Sequence, residues 1–498
     1  MHVGPDRFDS RKALRHMVSG SAWMIAMRWS MRGIGVVSTI ILARLLAPQD
    51  FGIIAMAMLL VGFIEILAET GLHLVLIRNA KADRQLYDTA WTLSVLQGFV
   101  LCALIVALAP LAALYFDEPR ATAVLYVLAL RPLINGLQNI GTVAFLKELD
   151  FARDFRFGIY QKLTAFVITI VLAYVLRNYW ALAYGIVASS VAGVILSYTM
   201  HPYRPRWCLA RVRQLYGFSL NILVQAMSYF LAGKIDEVVV GGNFGTETMG
   251  HYHIAADVGT SPTYELTEPM ARSLFPIYAK LSHQPGELSG AYLHALSAIA
   301  VLACASGAGI YAVAEPLVLT VLGEKWADAA PLMSWLALAM AMMVIGNTCF
   351  AVLNATGRER LALRLTWLRT LVLGGLLVPV AAGLSVEAVA ATRFAVMAAF
   401  LPVFLVFTAR VLDLSPLDPV RAIWRPAVAA LLMTMTLAFL PADTVRHAAP
   451  QLIIEVAVGA VVFVCGLIGL WLLAGKPAGF ERTALGFVVG LRRGFVQP

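Results

Sequence analysis

Two arginines lie near the middle of an apolar run that is long enough to cross a membrane. Arg28 and Arg32 stand in WMIAMRWSMRGIGVVSTIILARLL, residues 23–46, four positions apart and therefore on one face of a helix. A charge at the centre of a bilayer-spanning helix costs about 2.5–3.5 kcal/mol on insertion-based scales, so it needs a partner or a function. The next apolar run carries Glu65 and Glu69, again four apart. The four side chains predict either a structural ladder of ion pairs or the charged wall of a water-filled cavity.

A second group of charges occurs in the middle of the chain. Lys234, Asp236 and Glu237 lie toward the outer end of one apolar run, and Asp257 lies within the next. We expect Glu237 to be a solvated residue at the membrane interface. Asp236 could exchange protons, and we expect Asp257 to be a buried acid that is better suited to the same role.

The run that contains Asp257 also carries a charged face and three prolines. Glu265, Glu268 and Arg272 occupy positions i, i+3 and i+7, which share one face of a helix. Arg272 is close enough to the end of the run for its charge to reach the interface. Each proline removes a helical hydrogen bond and can bend the helix, which predicts a hinge at Pro262, Pro269 and Pro276.

Four further cations stand alone within apolar runs. Arg131 in LALRPLING and Arg393 in VAATRFAVM are isolated, and we expect them to line the same cavity as the other arginines. Lys162 and Arg369 lie near the ends of their runs, so we expect their charges to extend to the interface.

Membrane-spanning helices must position these residues. Of the 498 residues, 60% are hydrophobic and 13% are charged, whereas a soluble protein is about 45–50% apolar and about 25% charged. Apolar runs that can each cross about 30 Å of hydrocarbon recur along the chain. The first eighteen residues are polar and basic and lack the apolar core of a secretory signal. The fold class is therefore an all-α polytopic membrane protein.

The apolar runs, separated at Pro, Gly and charged residues, predict about fourteen transmembrane helices. Their expected limits are 19–46, 51–71, 88–115, 121–146, 158–176, 178–200, 217–242, 248–275, 288–315, 329–354, 365–383, 385–409, 426–441 and 451–474.

The distribution of Lys and Arg orients these helices. Twenty-five lie in the two termini and the connections expected on the same side, against four in the opposite connections. This asymmetry follows the positive-inside rule and places both termini in the cytoplasm. The net charge of +9 is therefore a signal of topology and membrane lipid, and no nucleic-acid partner is expected.

Helices 1–2 and helices 7–8 resemble each other at an offset of 198 residues. Gly35 corresponds to Gly233 and Gly52 to Gly250 in this alignment. A repeat that contains an even number of spans predicts two lobes of parallel topology, as in transporters that bind between their halves. The expected organisation is a cytoplasmic segment 1–18, an N-lobe 19–200, a cytoplasmic linker 201–216, a C-lobe 217–410, two additional helices within 426–474 and a cytoplasmic tail 475–498.

The sequence contains no signature of a bound cofactor. The five cysteines are scattered singly without the spacing of metal ligands. A Gly-rich phosphate-binding motif followed by Lys is also missing, which argues against direct use of ATP. No cofactor, no metal and no catalytic residue are expected, so any driving force comes from an ion gradient, the membrane potential or consumption of product.

Three segments carry a family resemblance. ILARLLAPQDFGIIAMAMLLVGFIEILAETGLHLVLIR resembles the first hairpin of polysaccharide transporters in the multidrug/oligosaccharidyl-lipid/polysaccharide (MOP) exporter superfamily. GKIDEVVVGGNFGTETMGHYHIAADV and PMARSLFPIYAKLS resemble the matching hairpin of the second lobe. The similarity is nearest to Wzx-like flippases of the colanic acid and amylovoran type. It covers helices 1–12 and specifies the family much more strongly than the sugar.

This resemblance implies a V-shaped pair of six-helix lobes that flips undecaprenyl-diphosphate-linked oligosaccharide repeat units to the outer leaflet of the bacterial cytoplasmic membrane. Membrane lipids, a polysaccharide polymerase and a chain-length protein are the implied partners. In a cationic cavity the diphosphate would meet Arg28, Arg32, Lys234, Arg272, Arg131 and Arg393. The corresponding charge partners or ion-coupling acids would be Glu65, Glu69, Asp236, Asp257, Glu265 and Glu268.

Two other classes of protein are alternatives. A cation-coupled drug antiporter of the same superfamily would favour a more acidic and aromatic cavity than one in which buried Arg meets buried Glu. An integral-membrane polysaccharide polymerase or ligase would favour a sizeable outer loop with Arg or His. The predicted outer connections are short and almost uncharged.

Overall fold

The computed structural model describes residues 29–67, 75–77, 83–148, 150–215, 220–440, 448–477 and 479–480, and this part of the chain is helical without a strand. The chain divides into two compact units, residues 1–227 and 228–498. The all-α class predicted from the composition is confirmed.

The first unit is built from long apolar helices and several short ones. Its described helices are α1 (29–45), α2 (Pro48–Leu67), α3 (Arg84–Tyr115), α4 (Arg120–Leu128), α5 (Leu130–Gly136), α6 (Val143–Lys147), α7 (Phe151–Leu176), α8 (Trp180–Met200) and α9 (Val212–Leu215). Within this unit α7 packs along α8, and α3 packs against α4 and α5. Asp50 stabilises the start of α2, because its carboxylate accepts from the N–H of Ala47 at 2.9 Å.

The predicted continuous helix 121–146 is wrong, because the chain breaks there. Segments Arg120–Gly136 and Ile140–Lys147 meet at 64°. At the break, the Asn139 carboxamide accepts from the N–H of Gly141 and donates to the carbonyl of Tyr203 at 2.7 Å. One local and one tertiary hydrogen bond of this side chain thus take the place of those that a continuous helix would make.

A strap formed by residues 201–208 lies across α3. The Tyr203 hydroxyl donates to Asp88 Oδ1 at 2.7 Å, and the N–H of Arg206 donates to the same oxygen at 2.9 Å. The N–H of Cys208 donates to Thr92 Oγ1 at 3.0 Å. Burial, and secondarily the hydrogen bond to Asp88, raises the pKa of Tyr203. The phenol therefore stays protonated at neutral pH and continues to donate to Asp88.

Glycines allow α3 and α5 to approach closely. A Cβ atom on Gly136 would lie 2.5 Å from the Ser94 carbonyl oxygen, and one on Gly98 would lie 2.6 Å from the Pro132 carbonyl oxygen. Both obstacles are backbone atoms, so a side chain could be accommodated only by separating the helices.

Gly136→Ala should therefore destabilise the first unit by about 1–3 kcal/mol through overpacking. The measurement is the melting temperature of the purified protein in detergent. Gly469→Ala is the matched control, since a Cβ there would meet no atom within 4 Å. Equal melting temperatures for the two variants would contradict the close approach of α3 and α5.

The second unit is built from long helices, the first of which begins eight residues before residue 228. These are α10 (Leu220–Leu281), α11 (Pro285–Val321), α12 (Ala329–Ala355), α13 (Glu359–Gly383), α14 (Val386–Val411), α15 (Leu417–Ala438) and α16 (Ala448–Leu473). The core centres on α12, which packs against α11 and α14. The two C-terminal helices α15 and α16 pack against each other and against α11.

Helix α10 consists of two helices that meet at Gly245. This glycine has φ 77° and ψ 177°, a backbone conformation that only glycine adopts readily. Ala47, between α1 and α2, lies 198 residues earlier, so both turns occur at the offset of the sequence repeat. Helical structure continues through Pro262, Pro269 and Pro276, and the hinge remains a prediction.

Ten helices among the described residues are long and apolar enough to cross a membrane, or eleven if the bent pair in the first unit is one span. The predicted count of about fourteen is therefore not confirmed, whereas the multi-pass character is. Charge-bearing α10 is not among the ten. The predicted first helix, 19–46, lies partly outside the described residues.

Candidate functional site

The predicted charge ladder in the first unit lies partly outside the described residues. Arg28 and Glu69 are not among them, so their pairing stays a prediction. Arg32 is half-buried on α1 and Glu65 is half-buried on α2.

Glu65 instead has a described partner that spacing did not indicate. Arg131 Nε on α5 lies 3.6 Å from Glu65 Oε1, and each side chain is 28% exposed. The prediction that Arg131 is isolated is therefore wrong. The packing of α4 against α2 places Arg131, which follows α4 closely in the chain, beside Glu65, although the two charges are far apart in the sequence.

A polar cavity of about 350 Å³ opens beside Glu65. Helices α2 and α3, together with the region of the break after α5, supply its polar lining, which includes Glu65, Ser94, Gln97, Asn135, Gln138 and Thr142. This site is not evident from the sequence, because its polar residues come from separate segments. The one local signal was the cluster of amides at 135, 138 and 139 inside a predicted span.

The second unit contains a buried ion pair. Arg393 Nη1 on α14 donates to Asp236 Oδ2 on α10, and the Tyr252 hydroxyl donates to the same oxygen. Asp236 and Tyr252 are both 0% exposed. Within the described residues, Asp236 Oδ1 has no hydrogen-bond partner. Arg393 is therefore not the isolated cation that the sequence predicted.

The turn at Gly245 creates this arrangement. It reverses α10 so that Tyr252 and His253 face Asp236 and Glu237 sixteen residues earlier. The phenol of Tyr252 and the imidazole of His253 give no signal in the sequence, because their contacts with Asp236 and Glu237 depend on the reversal.

Glu237 is buried rather than solvated, so that prediction is wrong. Its two carboxylate oxygens contact Lys234 Nζ and His253 Nδ1, the latter at 3.4 Å. Lys234 is four-tenths exposed, which leaves its ammonium partly accessible. A carboxylate with two basic neighbours can remain in the interior where a single charge could not.

Arg369 also differs from its prediction. Its charge does not extend to an interface, because the residue is only 3% exposed and its guanidinium lies 5.4 Å from the centroid of the Phe404 ring. This distance corresponds to a cation–π contact. Arg369 lies near the middle of α13, and α14 packs against this helix, which sequence periodicity did not reveal.

Asp257 is exposed, contrary to the prediction that it is a buried acid. Tyr252, Ala255 and Gly259 mark the buried face of this part of α10. A residue two positions after Ala255 is rotated by about 200° and therefore points away from that face.

The exposed side of α10 carries a continuous polar stripe. Its residues recur at helical spacing and are Asp257, Ser261, Glu265, Glu268 and Arg272. Arg272 Nε donates to Glu268 Oε1 at 2.8 Å. Glu265 is half-buried and Arg272 is exposed, so the predicted common face is present, and the Arg272–Glu268 ion pair lies on it.

Each unit thus combines paired charges with accessible polar groups on helices that lie within or beside candidate spans. Guanidinium and ammonium groups bind phosphate oxygens, and they can exchange a carboxylate partner for them. Groups of His, Cys, Asp and Glu that could hold a metal ion do not occur among the described residues. The paired charges and polar groups are suited to binding an anionic or polar ligand.

The chain is similar to known proteins of polysaccharide biosynthesis. The family described as "Polysaccharide biosynthesis protein" matches residues 41–331. The succinoglycan biosynthesis transport protein ExoT of Rhizobium meliloti (strain 1021) is 26% identical over 453 residues, which cover 89% of this chain and 90% of ExoT.

Two solved structures share the fold. The lipid II flippase MurJ in an inward closed conformation superposes with a TM-score of 0.70 at 10% identity, over 90% of this chain and 98% of MurJ. An inward-facing multidrug resistance MATE family transporter of the MOP superfamily superposes with a TM-score of 0.61 at 16% identity, over 78% of this chain and 98% of the transporter. At these identities the likeness shows the MOP fold alone.

Proposed function

Because the chain belongs to the polysaccharide biosynthesis protein family, we propose that it is a flippase that moves lipid-linked oligosaccharide units across a bacterial membrane. The cargo is an oligosaccharide repeat unit on undecaprenyl diphosphate, and the protein works by alternating access. The relative ExoT is a transport protein of succinoglycan biosynthesis. In this proposal the present chain transports the repeat unit of an exopolysaccharide or an O-antigen.

The polar stripe of α10 is the observation that carries this proposal. Asp257 and Glu265 lie in the middle part of the predicted span 248–275, and Asp257 is exposed. At the depth that this predicted span implies, charged side chains are too costly to face acyl chains, so we expect them to face water or a polar ligand. A helix with such a stripe suits a pathway for a large hydrophilic headgroup.

In this proposal the diphosphate of the cargo binds to basic side chains, and its sugars bind to side-chain amides. Arg32, Lys234, Arg272 and Arg131 are the proposed phosphate contacts, together with Arg28 outside the described residues. Arg131 binds phosphate by releasing Glu65, and the amides of the adjacent cavity hydrogen-bond to sugar hydroxyls. Arg393 is removed from this set, because its side chain is 12% exposed and its charge is paired with Asp236.

The cellular setting completes the proposal. The protein lies in the cytoplasmic membrane with both termini inside, as the asymmetry of Lys and Arg favours. A polysaccharide polymerase and a chain-length protein receive its cargo, and Pro262, Pro269 and Pro276 provide the hinge.

The test is flipping of undecaprenyl-diphosphate oligosaccharide in proteoliposomes, with a sugar-oxidising enzyme outside the vesicles to measure exposure of the headgroup. Vesicles that contain the protein should expose the fraction of cargo that is initially inside, whereas vesicles without protein should not. Equal exposure in the two preparations would contradict the flippase.

A cation-coupled antiporter is the second candidate, since the polar stripe has three carboxylates and one guanidinium. The same vesicles can be loaded with a fluorescent organic cation under a proton or sodium gradient. Gradient-driven export of the cation without flipping of the lipid would favour the antiporter.

A further inference from the structure

A separate basic cavity lies in the second unit, where the ends of two candidate spans meet. The first turns of α15, the region beyond the end of α16 and one face of α11 surround about 340 Å³. Small-ligand pockets typically enclose about 300–1,000 Å³, so this space can hold a headgroup-sized ligand. None of the residues that line it belongs to the charge pairs or the polar stripe described above.

Basic side chains dominate the lining of this cavity. Arg421 and Arg425 are four positions apart on α15, and His294 faces them from α11. Asp418 is the only carboxylate among the described lining residues, and its Oδ1 is 3.3 Å from Arg421 Nη1. The two guanidiniums and the imidazole place three basic groups on the lining of this cavity.

Two buried polar groups also lie at this cavity. Arg425 is 4% exposed and Ser297 is 2% exposed, and both line it. The Ser297 hydroxyl has no hydrogen-bond partner among the described residues. A buried hydroxyl without a partner is destabilising, and a bound oxygen acceptor would relieve this. Trp424 lies at the same cavity and is 37% exposed, as is typical of an indole at the headgroup level of a bilayer.

We propose that this cavity binds the phosphate of an anionic phospholipid headgroup. Guanidinium groups match phosphate oxygens in geometry as well as in charge. Basic pockets between membrane helices are a recurrent site for such headgroups. The lipid is a bound constituent of the second unit and is distinct from the proposed cargo, so the proposal does not depend on the flippase function.

The test is retention of added lipid by the full-length purified protein in native mass spectrometry. Wild type should retain phosphatidylglycerol and should retain phosphatidylcholine more weakly. Arg421→Gln should weaken phosphatidylglycerol retention about fivefold, the contribution of one basic side chain near an anionic lipid surface. Arg421→Gln with Arg425→Gln should weaken it at least tenfold. Arg360→Gln, an exposed arginine outside the cavity, is the control and should retain lipid as wild type does.

Ser297→Ala is a second test that leaves both arginines in place, and it is needed if replacement of buried Arg425 prevents folding. It removes only one hydroxyl, and it should weaken retention about two- to tenfold. Equal retention of the two lipids, or equal retention by the cavity variants and Arg360→Gln, would overturn the proposal. Added inorganic phosphate distinguishes a lipid headgroup from free phosphate as the ligand of this cavity. If the protein binds inorganic phosphate but does not retain phosphatidylglycerol, the assignment to a lipid is overturned.

Discussion

Arg393→Met is expected to destabilise the second unit by about 3–5 kcal/mol, because it leaves the buried Asp236 carboxylate without its cationic partner. The two groups are joined by a direct hydrogen bond from α14 to α10, and Asp236 is fully buried. Tyr252 alone can donate only one hydrogen bond to the remaining carboxylate. The melting temperature in detergent should fall by about 10 °C.

The double variant Asp236→Asn with Arg393→Met provides the discriminating measurement. Removing both charges should recover most of the lost stability, since no charge is then left buried without a partner. Arg410→Met, at an exposed position near the end of the same helix, is the matched control and should melt close to wild type. If the double variant is as unstable as Arg393→Met alone, the destabilisation does not come from an unpaired Asp236 carboxylate.

This ion pair also bears on ion coupling. Asp236 was a candidate for proton exchange, but its carboxylate is fully buried and accepts hydrogen bonds from the Arg393 guanidinium and the Tyr252 phenol. We therefore propose that Asp236 fixes α10 against α14. The carboxylates of the exposed stripe are then the remaining candidates for coupling.

Arg32→Ala should reduce flipping by roughly 10- to 150-fold, which corresponds to the loss of about 1.5–3 kcal/mol of charged hydrogen bonding to the diphosphate. Its abundance in the membrane should remain near that of wild type. Arg32→Lys should retain partial activity, because a lysine keeps the charge but loses the planar two-pronged geometry of the guanidinium. The measurement is the rate of headgroup exposure in the proteoliposome assay at low cargo concentration.

Arg44→Ala is the matched control for Arg32→Ala, since it removes the same charge from the exposed end of the same helix. It should flip cargo at the wild-type rate. A wild-type rate for Arg32→Ala would exclude a diphosphate role for this residue. Disappearance of the Arg32→Ala protein from the membrane would show that the residue is needed for folding.

Much of the fold could be read from hydrophobic runs alone. The predicted helices 329–354 and 178–200 agree with α12 (Ala329–Ala355) and α8 (Trp180–Met200) to within two residues. Such helices satisfy their own backbone hydrogen bonds, so length and polarity are sufficient to locate them. The predicted helix 121–146 failed, because the Asn139 side chain bonds to a strap that lies about sixty residues further along the chain.

For the candidate site, the sequence predicted which residues are unusual but not which of them contact each other. Spacing identified Asp236 and Arg393 as unusual charges within apolar runs, but it could not show that they contact each other. It also assigned Glu237 to solvent and Asp257 to the interior, whereas the structure has the reverse. Burial of one residue in a membrane helix depends on which neighbouring helix covers its face, and this information is absent from the local pattern.

The sequence by itself determined that this is an all-helical, multi-pass membrane protein of a polysaccharide transport family, because hydrophobic length and family motifs are local properties of the chain. Only the tertiary structure decided which charges are partners. Arg131 meets Glu65, and Arg393 meets Asp236, through packing between helices that are distant in sequence. The free energy of a buried charge depends on the groups within a few ångströms of it, and those neighbours are fixed by helix packing.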